Sequence, residues 1–324
     1  MPAPVDLSVI IVSFNTRETT RECLSYIVRY SPDASFEVIV VDNASADGSA
    51  DMVEHDFPWV RLIRLKKNKG FAGGNNEGIR KASGRYILLL NSDAFIGEGV
   101  FNSTLDFMKK NPSIGVLGCS LTNADGSPQA SARMLPSLLN KFLVITGLTS
   151  RFPKSRFFGR VDFSWWDHSY PRRVGWVVGA YFLIRREVVE GVGLLDERYF
   201  LYSEEIDFCK SAQKSGWDVV YYPYARVVHL GGQSAACTGS QVSAHGRQLT
   251  AQRIKSEFRY YRKWHGVAGV TASALVELAW RIAVLIKNLP FRSRKAQLKR
   301  SESLKVSRLI VETLLTDSFG KGAN

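Results

Sequence analysis

The stretch Tyr86-Ile-Leu-Leu-Leu-Asn-Ser-Asp93 constrains the fold of this chain more than any other. Its first five residues are apolar without a break, which predicts a strand covered on both faces, as in a parallel sheet flanked by helices. The run stops at Asn91, Ser92 and Asp93, three polar side chains at the carboxyl end of the strand. That edge is where open α/β sheets bind ligands. A carboxylate held there on a stiff strand suits a hard cation such as Mg2+ or Mn2+, which bridges protein and phosphate oxygens. A polar strand exit in which Asp93 caps a turn fits the same residues equally well.

The preceding residues repeat the pattern. Leu7–Val12 and Phe36–Val41 read as buried strands, and Val60–Leu65 as an alternating one. A helix is expected from Thr16 to Tyr30, stopped by Ser31-Pro32, and a second through Val53 with Asp47 or Ser49 at its start. Asn68-Lys-Gly-Phe-Ala-Gly-Gly-Asn-Asn76 is expected to be a loop leading into a helix that ends near Ser83-Gly84. Strands alternating with helices predict a Rossmann-like sheet.

After Asp93 the texture changes. A helix is expected at Gly99–Lys110, then a strand at Ile114–Gly118 and a turn at Asn123-Ala-Asp-Gly126. Residues 130–173 read as loop-rich, aromatic and basic. They are followed by a strand at Trp176–Ile184, a short helix at Arg186–Glu190, a run Gly193–Cys209 that enters another helix, and a strand at Val219–Tyr222. The expected domains are 1–240, split into a nucleotide-binding half (1–95) and an acceptor half (96–240), and a helical, basic region at 241–324. In the latter, Leu275–Leu289 is apolar but carries Glu277 and Arg281 and ends at Pro290. Fifteen residues are short for a membrane span of about 20, so an interfacial helix is expected.

The net charge is +13, and from Arg281 onward ten Lys/Arg stand against three Asp/Glu. Such a tail attracts nucleic acid or an anionic membrane surface. No nucleic-acid motif accompanies it, so no nucleic-acid partner is expected. Cys23, Cys119, Cys209 and Cys237 form no metal or CxxC spacing, which suggests reduced thiols in the cytoplasm. The N-terminus lacks a basic n-region and an apolar h-region, so no secretory signal is expected.

Several polar groups converge on one sheet edge: Asn15 and Asp42 at the ends of the first two strands, then Asn91 and Asp93. Asp42 suits a hydrogen bond from a pyrimidine imide N–H, or a plain Asx turn. Gly73-Gly74-Asn75-Asn76 allows close backbone approach to a ligand. It is neither GxGxxG nor GxxxxGK[ST], which argues against a nicotinamide-dependent enzyme and a P-loop nucleotidase. Glu204-Glu205-Ile-Asp207 either complements a helix dipole or uses repulsion to raise one carboxyl toward the range of a general base. His229 offers an imidazole nitrogen to a metal, or simply packs.

In sequence, these segments resemble family 2 glycosyltransferases of the GT-A fold, and among them bacterial rhamnosyltransferases of surface-polysaccharide synthesis. The resemblance rests on Ile10–Asn15, Val40–Ser45, Asn68–Asn76, Leu90–Asp93, Val178–Arg186, Leu195–Asp207 and His229–Ser234, and spans roughly residues 5–265. It implies an α/β GT-A fold, a mixed sheet flanked by helices with a C-terminal helical extension. It also implies an inverting, metal-dependent transfer from a nucleoside diphosphate sugar, dTDP-rhamnose among them, to a lipid-linked saccharide acceptor. The enzyme would be cytoplasmic and peripheral on the inner face of the membrane. Asp93 would hold Mg2+ or Mn2+, with His229 beside it. Ser13, Asn15, Asp42, Gly74, Asn75 and Asn91 would line the nucleotide site, with Asp42 reading the base. Asn91 stands where the family's DxD motif has its first Asp. Glu205 stands where the family has the Asp of a Glu-Asp pair, the catalytic base, so its longer side chain departs from the pattern. The rival expectation is a non-catalytic nucleotide or nucleic-acid binding protein, or an inactive homologue.

Overall fold

The computed structural model describes residues 5–231, 242–317 and 320. Cys237, the Gly232-Gln233-Ser234 end of the last motif and the boundary expected at 240/241 lie outside the described residues. The chain divides into two compact units. One comprises Met1–Leu135, Trp166–Phe200 and Glu204–Gly239, and the other Pro136–Trp165, Leu201–Ser203 and Ser240–Asn324.

The first unit begins β1 (Leu7–Ser13), α1 (Arg17–Arg29), β2 (Phe36–Asp42), α2 (Ser49–Asp56), β3 (Arg61–Arg64), α3 (Gly70–Ile79) and β4 (Tyr86–Asn91). The strands run parallel in the order β3-β2-β1-β4. Tyr86 through Leu90 are each at most 2% exposed, so the apolar run is covered on both faces. Ser13 pairs with Asp42 and Val12 with Asn91, which aligns the carboxyl ends of three strands on one edge.

The chain continues through β5 (Ala94–Ile96), α4 (Val100–Lys110), β6 (Ile114–Thr122), β7 (Pro128–Gln129) and β8 (Ala132–Arg133). After α5 (Leu138–Ile145) and α6 (Leu148–Arg151) of the second unit come β9 (Arg172–Arg173), β10 (Trp176–Val177) and β11 (Tyr181–Arg185). Next are α7 (Arg186–Val192), α8 (Glu204–Lys214) and β12 (Asp218–His229). β11 lies antiparallel between β4 and β6, β12 runs parallel to β6, and β5 closes the far side antiparallel to β12. The sheet is therefore mixed, as the family resemblance implies and the strand–helix alternation alone does not.

Three local expectations are corrected. The glycine-rich segment is helix from Gly70, not loop. Asn43 Nδ2 donates to the Gly70 carbonyl (3.1 Å) and Asn43 Oδ1 accepts from Lys69 N (2.8 Å), which fixes the helix start. The helix then lies directly on β1: a Cβ at Gly78 would sit 2.4 Å from Ile10 Cγ2. The expected strand Trp176–Ile184 is two strands, because β10 pairs with β8 in a separate small sheet before β11 enters the main one. The strand expected at Val219–Tyr222 extends to His229. Its register with β6 shifts between Tyr222 and Arg226, around Pro223, which has no N–H to give the ladder.

Arg185 and Arg186, part of one sequence motif, hold the fold together. Arg185 is buried and donates to the carbonyls of Met108 (2.7 Å) and Ile114 (3.0 Å), the former at the C-terminus of α4. Arg186 donates to the carbonyls of Gly84 and Ala82.

The second unit corrects the loop-rich reading of residues 130–173. Ser137 Oγ accepts from Asn140 N (3.1 Å) and caps α5, which is followed by α6 and a 3-10 turn at Phe158–Arg160. α9 (Val242–Asn288) turns at Gly266 (φ 65°) and packs on α10 (Arg294–Thr316). Ile254, Phe258, Val270 and Ala274 of α9 are buried, as are Val306, Leu309 and Ile310 of α10. By length and composition, Thr250–Asn288 is long and apolar enough to cross a membrane. The helical segment that carries the apolar run Leu275–Leu289 starts before it, at the turn at Gly266.

Candidate active site

The carboxyl edge of β1, β2 and β4 is shaped by backbone that few residues adopt freely. Asn15 (φ 52°) and Ala44 (φ 66°) are both left-handed. Their loops interlock: Ala46 N donates to Asn15 Oδ1 (2.8 Å) and Asn15 N to Ser45 Oγ (3.0 Å). Asp42 is buried at this edge. Its Oδ2 accepts from Ser45 N (3.2 Å), whereas its Oδ1 is buried with no hydrogen-bond partner. A buried acceptor without a donor is costly unless a ligand supplies one.

Beside it, β4 delivers Asn91 and Asp93, and β12 delivers His229 through the pairing of His229 with Ala94. Asn91 Nδ2 lies 3.3 Å from His229 Nε2, and Asp93 Oδ1 lies 3.5 Å from the same nitrogen. On the other side of the ring, His229 Nδ1 donates to Gln129 Oε1 (2.9 Å), while Gln129 Nε2 donates to the His229 carbonyl (2.6 Å). With Nδ1 carrying the proton, the Nε2 lone pair faces Asp93. A lone pair opposite a carboxylate is the donor set a divalent cation takes. The residues present therefore fit Mg2+ or Mn2+. Among the described residues no three His, Cys, Asp or Glu side chains gather into a cage. The remaining ligands of such an ion would be water and oxygens of a bound ligand, as is usual for Mg2+.

Glu205 occupies the first turn of α8. Cys209, one turn later, is tied to Val177, and Ala180 O accepts from Asn91 N (3.1 Å). Glu205 is partly exposed, and desolvation by the protein around it pushes its carboxyl up to about 7, against the weaker opposing effects of its own backbone N–H and then of Arg133. Its Oε2 is buried without a hydrogen-bond partner. Asp207, in the same acidic run, accepts from the Tyr199 hydroxyl (3.4 Å).

The family profile described as Glycosyl transferase family 2 matches residues 8–193, more than half of the chain. The chain belongs to glycosyltransferase family 2. The transferase is 29% identical to the N-acetylglucosaminyl-diphospho-decaprenol L-rhamnosyltransferase of Mycobacterium tuberculosis over 82% of this chain and 88% of that protein. It is 26% identical to a low-salt glycan biosynthesis hexosyltransferase of Haloferax volcanii over 69% of this chain and 67% of that one. Among solved structures it resembles a mannosyltransferase from Pyrobaculum calidifontis in complex with GDP-Man and Mn2+. The TM-score is 0.58 at 16% identity, covering 98% of this chain and 90% of that one. At that identity the likeness shows the GT-A fold alone.

Several residues expected to touch a nucleotide are occupied within the transferase itself. Ser13 Oγ sits in a buried hydroxyl cluster with Thr16 and Thr20, and Thr16 reaches Ser92 Oγ (3.1 Å). Asn15 braces the β2–α2 loop, as above. A Cβ at Gly74 would meet Val12 Cγ1 at 2.8 Å, so that glycine serves helix–strand contact. Asn75 is buried and donates to the Phe71 carbonyl (2.9 Å). Sequence reasoning missed Gln129, which lies in no motif and is revealed only by its contact with His229. It also missed Asn43, whose adjacency to Asp42 was the available signal.

Proposed function

We propose that the chain is an inverting sugar transferase using a nucleoside diphosphate sugar, dTDP-rhamnose by preference, to extend a lipid-linked saccharide in cell-surface glycan synthesis. The observation that carries this reading is the pair of buried, unpartnered acceptors Asp42 Oδ1 and Asn91 Oδ1 at one sheet edge of a family 2 chain, with a third, Glu205 Oε2, in the first turn of α8. The rhamnosyl donor and the lipid-linked acceptor are supported by the name of the mycobacterial relative. The surface-glycan setting is further supported by an O-antigen biosynthesis protein of Myxococcus xanthus, 24% identical over 83% of this chain and 21% of that protein.

In this reading Asp42 accepts the imide N–H of the base and Asn91 contacts the nucleotide. Ser13, Asn15, Gly74 and Asn75 shape the pocket around them. Asp93 and His229 would hold Mg2+ or Mn2+, which when bound neutralises charge on the departing diphosphate. Glu205 removes the proton from an acceptor hydroxyl. That oxygen forms the new bond to the anomeric carbon as the bond to the diphosphate oxygen breaks, and the nucleoside diphosphate leaves from the opposite face. A carboxyl poised near 7 matches a base working at neutral pH. The enzyme is held peripherally on the inner membrane face by the end of α9, where Leu275, Ile282, Ile286 and, just past the helix, Leu289 are exposed and Arg292, Arg294 and Lys295 follow.

The test is incubation with a panel of nucleotide sugars, a polyprenyl-diphosphate saccharide and Mg2+ or Mn2+, reading nucleoside diphosphate release and the anomeric configuration of the product. Acceptor-dependent release with inverted configuration is expected. Retention of configuration, or no turnover with any donor, would overturn the reading.

A further inference from the structure

Residues 126–161 contain no Asp or Glu, yet carry Arg133, Arg151, Lys154, Arg156 and Arg160 besides Lys141, which is nearly buried against Glu257 and Glu277. Within that span the second unit turns one apolar face inward and leaves another outside. Leu143 of α5 is buried, whereas Leu139 and Phe142 are 39% and 44% exposed. Beyond α5, cations and aromatic rings alternate in Arg151-Phe152-Pro153-Lys154-Ser155-Arg156-Phe157-Phe158. Phe152 and Phe157 are 45% and 51% exposed, and both rest on the Phe158 ring, at 5.1 and 5.2 Å. Arg151, Lys154 and Arg156 are exposed beside them. Soluble surfaces rarely concentrate large apolar side chains and a single sign of charge in one place.

We propose that the segment Leu138–Phe157 is a second membrane-docking element, seated on anionic lipid headgroups through Arg151, Lys154 and Arg156 with Phe152 and Phe157 in the interfacial layer. The inference rests on the membrane-held reading above and adds a surface that the tail does not contain. The absence of acid across the whole span provides the charge complementarity. The aliphatic side chains of α5 distinguish lipid from nucleic acid. Bases stack on aromatic rings, whereas exposed Leu139 gains nothing from a base and gains from burial among acyl chains.

The experiment is flotation of the full-length protein with vesicles of phosphatidylcholine, with and without phosphatidylglycerol. Wild type is compared with the triple variant Arg151→Glu/Lys154→Glu/Arg156→Glu and the double variant Phe152→Ser/Phe157→Ser. Attraction of about fivefold per basic residue predicts that charge reversal weakens binding to anionic vesicles by about 10²-fold or more. Removing the two rings should weaken it by about tenfold. Donor turnover in detergent and the melting curve should stay as in wild type. The Phe variant keeps every charge, so it reports even if the reversed variant folds poorly. If wild type floats and both variants float equally well, this inference is overturned and the tail alone anchors the chain. If wild type does not float on any vesicle, the membrane reading itself fails and takes the inference with it. If a single-stranded RNA displaces the vesicles and charge reversal abolishes RNA binding, the surface serves nucleic acid and the proposal is overturned.

Discussion

Glu205 and Gln129 carry the residue-scale consequences. Burial pushes the Glu205 carboxyl up to about 7, so its proton-accepting form grows in as pH rises through neutrality. The rate should rise across that range and level off above it. Glu205→Gln should lower kcat by about 10²–10⁴ with donor KM nearly unchanged, and should abolish the rise. Stability moves the other way. The folded chain holds this proton more tightly than the unfolded chain, so stability falls between the ordinary carboxylate range and pH 7. A pH series of melting curves should show that slope in wild type and lose it in the variant. Gln129 fixes the His229 ring so that Nε2 faces Asp93. Gln129→Leu should weaken Mn2+ affinity by about 10- to 100-fold, read by titration of free Mn2+ with paramagnetic resonance, with turnover recovering at high Mn2+. Asp93 and His229 were legible in the sequence because each ends a recognisable run. Gln129 was not, because its role exists only once β7 and β12 have been brought to the same ring.

At the scale of elements, the clearest discrepancy is α3. Read as text, Gly70-Phe-Ala-Gly-Gly-Asn-Asn76 suggests a loop, since glycine disfavours helix by about 1 kcal/mol per residue. The structure makes it helix because close contact with β1 outweighs that propensity. Gly70 is fixed by its left-handed φ of 73° and by Phe200 O, which a Cβ would meet at 2.1 Å. Gly78 is fixed by Ile10. Gly78→Ala should therefore cost about 1–3 kcal/mol by overpacking rather than gain helix propensity. Chemical denaturation of Gly78→Ala, Ile10→Ala and the double variant checks this. The double variant should be less destabilised than the sum of the singles, because each relieves the other; strict additivity would refute the contact. The buried strands were legible from their apolar runs alone. The split of Trp176–Ile184 was not, because a switch between sheets leaves no mark in hydrophobicity when both strands are covered.

At the scale of the whole molecule, the second unit is assembled from distant stretches of chain, and its polar centre shows what joins them. Lys141 of α5 is nearly buried and contacts Glu257 and, at 2.9 Å, Glu277, one on each side of the turn at Gly266. Ser273 Oγ accepts from Lys141 (2.9 Å) and donates to Glu257 (2.6 Å), and Arg281 pairs with Glu277 (3.0 Å). Burial works against the Glu277 charge, but the two cations together hold its carboxyl below the ordinary range. This contribution to stability is present at neutral pH and is lost as pH falls through the depressed value. The packed face of α9 is thus Val270, Ser273, Ala274 and Glu277, whereas Leu275 and Ile282 are exposed. The sequence marks Glu277 and Arg281 only as interruptions of an apolar run, because Lys141, the second cation on Glu277, lies far away in the chain. Lys141→Met should cost about 3–5 kcal/mol, since it takes the cation from Glu257 and leaves the buried Glu277 with Arg281 alone. Lys141→Met combined with Glu257→Gln and Glu277→Leu should recover most of that loss. A chain ending at Gly269 should lose the second unit altogether, because Ser273, Glu277 and all of α10 go with it. Limited proteolysis should then cut Pro136–Trp165 rapidly in the truncated protein and slowly in the full chain. Equal protection in both would mean that residues beyond 269 add nothing to the fold of this unit.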